Sequence, residues 1–205
     1  SCIYPKESKQ PIKEEYLLTD KPEPTNEGYA LSKIIGLKSC GYYNNQFGKN
    51  YITLMPCNLY GPNDNFNIEK GHVLPALIHK CYLAKKNNTH LEVWGTGNPM
   101  REFIYSEDVA RLAEWAIENY NEQEPIIFST SQEISIKDVV TIIMDKLDYK
   151  GNVVWRLDKP DGQFRKPSDN SKLLSYLPEF KFTPIEEGIE KTVNWFIENY
   201  ETARK

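Results

Sequence analysis

Tyr29 and Lys33, four residues apart, are the first residues in this sequence whose types and spacing could do chemistry. On a helix the i, i+4 spacing puts both side chains on one face. There an ammonium favours phenolate, and the phenol can act as general acid or base on a carbonyl/alcohol pair. The chain holds 13 tyrosines, so the bare spacing also arises by chance. Pro56-Cys57-Asn58-Leu59 closes an apolar run, where α/β folds place ligand loops, and equally fits a plain strand-to-loop bend. Arg101 follows the turn Gly95-Thr96-Gly97-Asn98-Pro99 and could hold a phosphate with two donors; exposed arginines are commonly just solvated. Cys2, in a strand-end segment, also fits a buried small residue. His72 fits a helix cap or the surface, Trp94 fits a core, and His79 and His90 read as surface residues.

The elements that must position these residues alternate along the chain. The stretch from Pro5 to about Pro24 is polar and rich in Pro and Lys, hence a long loop. A helix is predicted from about Thr25 to Phe47, with Thr25 or Asn26 as its cap and Tyr29, Lys33, Ile34 and Leu37 at helical spacing. YITLMPCNLYGP reads as one buried parallel strand stopped by Gly61-Pro62, and His72 to Lys86 as a second helix. A strand and turn at LEVWGTGNP precede a short strand and a helix opened by Ser106, Glu107 and Asp108, an acidic first turn that suits the helix dipole. Pro125 to Ser129 is a strand. Ser135 to Leu147 is a helix with Ser135-x-x-Asp138 close to a capping box, and residues 153–155 are a strand. The last helix, to about Tyr200, takes Thr183 as N-cap, Pro184 at its first position and Glu186 three residues after the cap. Strands and helices in alternation give an α/β class, with no internal repeat.

The 205 residues, 40% hydrophobic and 26% charged, suit a folded unit with a real core. A net charge of -4 without clustered Lys and Arg argues against nucleic acid as a partner. No apolar run approaches the roughly 18 residues of a membrane span, and the first ten residues lack the basic flank and apolar stretch of a signal peptide. Cys2, Cys40, Cys57 and Cys81 have neither metal-site nor disulfide-framework spacing. They are expected to be mostly buried, in a reducing, cytoplasmic protein, with no metal site. The first residues read as the end of an element, so a fragment of a longer chain is expected.

Around the Tyr/Lys pair, PTNEGYALSK lies between SCIYP and MPCNLYGP, and this arrangement resembles the active region of extended short-chain dehydrogenases/reductases. More narrowly, SCIYPK, NLYGPNDNF, GHVLPALIHK, VWGTGNPMREF and KPDGQFRK, in that order, resemble the GDP-L-fucose synthase family, and the likeness continues through DNSKLLSYLPEFKFTP. The resemblance implies the C-terminal part of a Rossmann-like parallel sheet plus a smaller α/β substrate-binding domain. Residues 1–66 would be what remains of the NADP-binding domain and 67–205 mainly the substrate domain, with strands returning to the sheet. It implies epimerisation at C3 and C5 of GDP-4-keto-6-deoxy-mannose and then reduction at C4 with NADPH. Cys2 and His72 match the epimerisation positions, as base and acid; a thiol and an imidazole can exchange protons near neutral pH. Tyr29 would bind the C4 oxygen, with Lys33 tuning it and holding the cofactor ribose. Ser1, Pro56, Cys57, Asn58, Leu59 and His72 fall at cofactor positions, and Lys80, Trp94, Arg101, Asp161 and Lys166 at substrate positions. Family members associate through helices in this region, so a homodimer is expected.

The sequence departs from that pattern in two places. It contains no strand, Gly-rich turn and helix to receive a pyrophosphate, since Gly95-x-Gly97 leads into Pro99. The serine that usually partners the tyrosine matches the position before Ser1, so Ser1 is not given the carbonyl-binding role. The chain alone is expected to be inactive. Two rival readings are a non-catalytic GDP-sugar-binding or assembly module and a different sugar-nucleotide epimerase or dehydratase. Cys2 with His72 argues against a dehydratase, which needs a carboxylate beside the tyrosine.

Overall fold

The computed structural model describes residues 2–205, so Ser1 lies outside the described residues. In chain order the elements are α1 (Glu27–Phe47), β1 (Leu54–Pro56), β2 (Asn58–Tyr60), α2 (Val73–Asn87), β3 (Leu91–Trp94), β4 (Met100–Tyr105) and α3 (Ser106–Asn119). Then follow β5 (Ile126–Phe128), β6 (Glu133–Ser135), α4 (Ile136–Lys146), β7 (Val153–Arg156), α5 (Ser171–Tyr176) and α6 (Ile185–Glu198). The α/β class holds, and three of the four strand pairs are parallel: β1 with β5, β2 with β4, and β3 with β7. β6 joins β4 antiparallel.

Before α1 the chain is loop broken by two single 3-10 turns, Glu14–Tyr16 and Pro24–Asn26. The second turn changes how α1 begins. The first helical N–H, that of Glu27, already finds the Pro24 carbonyl, so Asn26 occupies the cap position without a side-chain bond. Thr25 turns its hydroxyl to Glu23 instead. At the other end Gly48 adopts φ 59°, the left-handed conformation that closes helices.

The run from Tyr51 to Pro62 is not one strand. β1 pairs with β5 as far as Pro56 opposite Phe128, and from Asn58 the chain pairs with β4, Asn58 opposite Phe103. Cys57 is the joint, and its N–H still donates to the Phe128 carbonyl at 2.9 Å. Three apolar cores surround this break. Met55 and Ile127 pack with Ile3, Tyr4, Ile12 and Ile34 under α1. Cys57, Ile104, Leu112, Ala116 and Phe128 pack between the strands, α3 and α5. The largest core joins α2, α4 and α6 through Leu77, Ile78, Val139, Ile143, Val193 and Phe196. Each such residue is fully or nearly fully buried, and cutting any of the leucines, isoleucines or Met55 among them to Ala would cost about 2–5 kcal/mol.

Several local expectations are corrected. The capping serine of α4 holds, with Ser135 Oγ accepting from Asp138 N at 3.0 Å. Thr183 does not cap α6, whose N-cap is Pro184. Its N–H and hydroxyl donate to the buried Asp108 carboxylate at 2.7 and 2.9 Å, because a carboxylate at that depth needs every donor in reach. Of the thiols, Cys57 and Cys81 are buried, Cys40 is half-buried and Cys2 is exposed. β6 and α5, of three and six residues, are too short to show a period in sequence.

His79 is not on the surface. It is 7% exposed on α2, with Nδ1 2.9 Å from the Phe66 carbonyl and the Phe196 and Tyr200 rings beside it. Burial holds its pKa below the ordinary histidine value, the Phe66 carbonyl opposes this, and the Lys205 ammonium adds to the lowering. The folded state therefore favours the neutral ring, and this contribution is present above about pH 6.5 and is lost as pH falls below it. The urea midpoint should drop between pH 7 and 5.5, well above the carboxylate range, and His79→Gln should flatten that slope. An equal slope in the variant would remove His79 as its source.

Candidate active site

The break at Cys57 opens a cavity of about 860 Å³. One wall is the strand-end segment Pro56, Cys57, Asn58 and Leu59, another is the α1 stripe carrying Tyr29 and Lys33, and Cys2 and His72 complete the rim. The sequence-predicted catalytic and cofactor residues thus share one space, Ser1 excepted as outside the described residues. Lys33 Nζ lies 5.5 Å from the Tyr29 ring centroid, and Tyr29 is half-exposed toward the cavity. His72 sits at the N-cap of α2 and serves that helix through its carbonyl, which accepts from Ala76 N at 3.1 Å. Its imidazole makes no cap bond, so the capping alternative is excluded.

Within the strand-end segment the side chains are committed elsewhere. Burial, followed by the Glu102 carboxylate, pushes the Cys57 thiol up to about 12, so it is a neutral wall group and not a nucleophile. Asn58 Nδ2 donates to the Glu102 carbonyl at 2.7 Å. What this segment offers a ligand is backbone and shape.

A second cavity, about 300 Å³, lies across β4 and is lined by Lys80, Trp94, Arg101 and Asp161 together with Gly97 and Pro99. Four of the five predicted substrate residues therefore meet. Trp94 is not core: it is 53% exposed, with Lys80 Nζ 4.8 Å and Lys159 Nζ 5.7 Å from its ring. Burial lowers the Lys80 ammonium from its ordinary value, against the pull of Glu92. Asp161 is not an open carboxylate. It accepts from Thr96 N at 2.6 Å and Thr96 Oγ1 at 2.8 Å, fixing the turn between Gly95 (φ 76°) and Gly97 (φ 77°). Lys159 went unnoticed in sequence, although it lies two residues before Asp161 in KPDG.

Lys166 lines neither cavity. Burial first, then Arg101, lowers its ammonium, while Cys2 and Glu23 oppose. Arg101 is likewise held down by burial, against Glu133, Asp161 and Cys2.

Residues 1–129 match the NAD dependent epimerase/dehydratase family. The chain belongs to this family. It is similar to the GDP-L-fucose synthase of Dictyostelium discoideum, 44% identical over 207 residues that span 100% of this chain and 65% of that protein. The GDP-L-fucose synthase of Escherichia coli is 40% identical, covering 100% of this chain and 66% of its own length. A crystal structure of a GDP-L-fucose synthetase from Naegleria fowleri bound to NADP matches with a TM-score of 0.96 at 44% identity, over 100% of this chain and 66% of that one. The chain thus spans just under two thirds of these relatives.

As a member of the epimerase/dehydratase family the chain should meet a dinucleotide. β1 ends at Pro56 and β2 begins at Asn58 beside Lys33, whose ammonium can donate to hydroxyls of a ribose, and His72 stands at the rim. Among the described residues no Gly-rich turn leads from a strand into a helix, since Gly95-x-Gly97 runs into β4. The described residues hold no group of His, Cys, Asp or Glu that could bind a metal ion, and no helix long and apolar enough to cross a membrane.

Asp161→Ala should free the Thr96 amide and leave β3 intact. Hydrogen exchange followed by mass spectrometry should speed up in the 95–98 segment and not at Leu91–Val93. Unchanged exchange at Thr96 would mean that Asp161 does not hold the turn.

Proposed function

We propose that the chain carries the proton-transfer and sugar-nucleotide side of a GDP-L-fucose synthase, acting on GDP-4-keto-6-deoxy-mannose. The observation that carries this reading is the convergence of Cys2, His72, Tyr29 and Lys33 on one cavity, with the cationic cavity of Arg101 and Lys80 beside it. The likeness to synthases of that name over the whole chain supports it.

In this reading the phenol of Tyr29 donates a hydrogen bond to the C4 oxygen and stabilises the enolate formed when a proton leaves C3 or C5. The Cys2 thiolate takes that proton, and His72 delivers one to the opposite face, which inverts the centre. NADPH, when bound, supplies the hydride for C4. Tyr29 then gives its proton to the alkoxide at O4, and Lys33 stabilises the phenolate left behind. Backbone groups of Pro56, Cys57, Asn58 and Leu59 hold the nicotinamide end, together with Lys33, and Ser1 and His72 belong to the same cofactor set. Arg101, Lys80 and Lys166 bind the diphosphate, the first as a bidentate donor. The exposed face of Trp94 takes the base, and Asp161 keeps Trp94 and Arg101 in register by closing their turn.

The same reading divides the chain into a cofactor-side unit, residues 1–66, and a mainly substrate-binding unit, residues 67–205, with β4 and β5 returning to the first. It includes isomerase as well as reductase activity and a homodimer formed through α1. That helix leaves Leu31, Ile35, Tyr42 and Phe47 exposed, which supports a partner there. Free thiols at all four cysteines go with a cytoplasmic setting.

Calorimetry with GDP and NADPH added separately tests the assignment. The chain should bind GDP with a micromolar Kd and NADPH at least tenfold more weakly, because the described residues hold no Gly-rich strand-to-helix turn to take the pyrophosphate of NADPH. Tighter binding of NADPH than of GDP would contradict this arrangement, and a folded chain that binds neither would favour an assembly module.

A further inference from the structure

Glu102 has no part in the chemistry just described, yet it is a carboxylate only 2% exposed, on β4 beside Arg101. Its Oε1 accepts from Ser168 N at 3.0 Å and its Oε2 from Ser129 Oγ at 2.9 Å, while its carbonyl accepts from Asn58 Nδ2 at 2.7 Å. The network goes on through Ser131 Oγ to the Ser168 carbonyl at 2.9 Å and Asn170 Nδ2 to the Ser129 carbonyl at 2.9 Å. Burial raises the Glu102 carboxyl above its ordinary value, against the pull of its Ser168 and Ser129 bonds.

Stability alone does not call for a carboxylate here. A buried charge is expensive even when bonded, and an apolar side chain of similar volume is often no worse. What an apolar side chain would lack is the link from β4 to the loop 166–170. Ser168 follows Lys166 across Pro167, whose ring fixes its own φ. Anchoring the Ser168 N–H therefore limits where the Lys166 ammonium can go. The neighbour of Glu102 on β4 is Arg101, which lines the second cavity.

We infer that Glu102 is a positioning residue: by tying the Lys166 loop to β4 at Ser168 it sets Lys166 relative to its β4 neighbour Arg101, and both against the anionic part of the ligand. Glu102 touches neither substrate nor cofactor, and it acts through the two cations and Asn58. The inference rests on the proposed roles of Arg101 and Lys166 as anion ligands.

The test uses this chain with Glu102→Leu, Glu102→Gln and Ser129→Ala, each checked for folding by circular dichroism. The Kd for GDP is read by calorimetry. Glu102→Leu should weaken GDP binding about tenfold. Glu102→Gln keeps an acceptor for Ser168 N and should restore most of the affinity. A folded Glu102→Leu chain with the parent's Kd overturns the inference. Should Glu102→Leu not fold, Ser129→Ala decides in its place, with about a threefold weaker Kd expected and an unchanged Kd fatal. A parent chain that binds no GDP fails the earlier reading and this one with it. A sound parent matched by its Glu102 variant fails this inference alone.

Discussion

The change of partner at Cys57 is the constraint on which the site depends. A strand can pair with only one neighbour on a given edge, so when the chain leaves β5 after Pro56 and takes up β4 from Asn58, backbone groups and side chains on either side of Cys57 face different elements. The sheet cannot close over that point, and a crevice results where strand partners diverge, the place at which α/β sheets take ligands. Tyr29 and Lys33 come to this crevice because α1 packs over β1 through Ile34 against Met55 and Ile127. His72 comes because α2 starts there, and Cys2 because Ile3 and Tyr4 are buried in the same core as Ile34.

On β4 residues alternate across the sheet: Arg101 lines the cavity of Trp94 and Lys80, the next residue, Glu102, is buried, and Phe103 stands opposite Asn58 in the register with β2. Lys80, Arg101 and Lys166 are each half-buried, and burial lowers all three cations, opposed by carboxylates that include Glu92, Glu133, Asp161 and Glu23.

Much of this was legible in the sequence, for reasons that differ by residue. Tyr29 and Lys33 are legible because the strings around them, SCIYP, PTNEGYALSK and MPCNLYGP, resemble a known active region; the i, i+4 spacing on the 21-residue α1 alone would not single them out among 13 tyrosines. The cap at Ser135 is equally plain, because its bond to the Asp138 amide is local. Thr183 looked just as good a cap, and lost its role to Asp108, 75 residues away in sequence. His79 read as surface because α2 is buried on several sides and a single polar residue carries no period; only the Phe66 carbonyl and the Phe196 and Tyr200 rings explain its depth. Asp161 was found at the right cavity, but its pairing with Thr96 is a contact over 65 positions that no local pattern encodes.

Glu102 is the extreme case of that blindness. It stands next to Arg101 in the string MREF, where the arginine draws the eye, and nothing local marks the glutamate as buried. Its partners Ser129, Ser168 and Asn58 come from three separate segments and become neighbours only once β1, β2, β4 and β5 have paired. A residue that touches the ligand has to be of a type suited to the ligand, and so can be guessed from chemistry. A residue that places others has to suit only its neighbours, and the neighbours are given by the fold. For that reason the cations proposed to meet a ligand stand out in the sequence by their type, and the carboxylate proposed to align them does not.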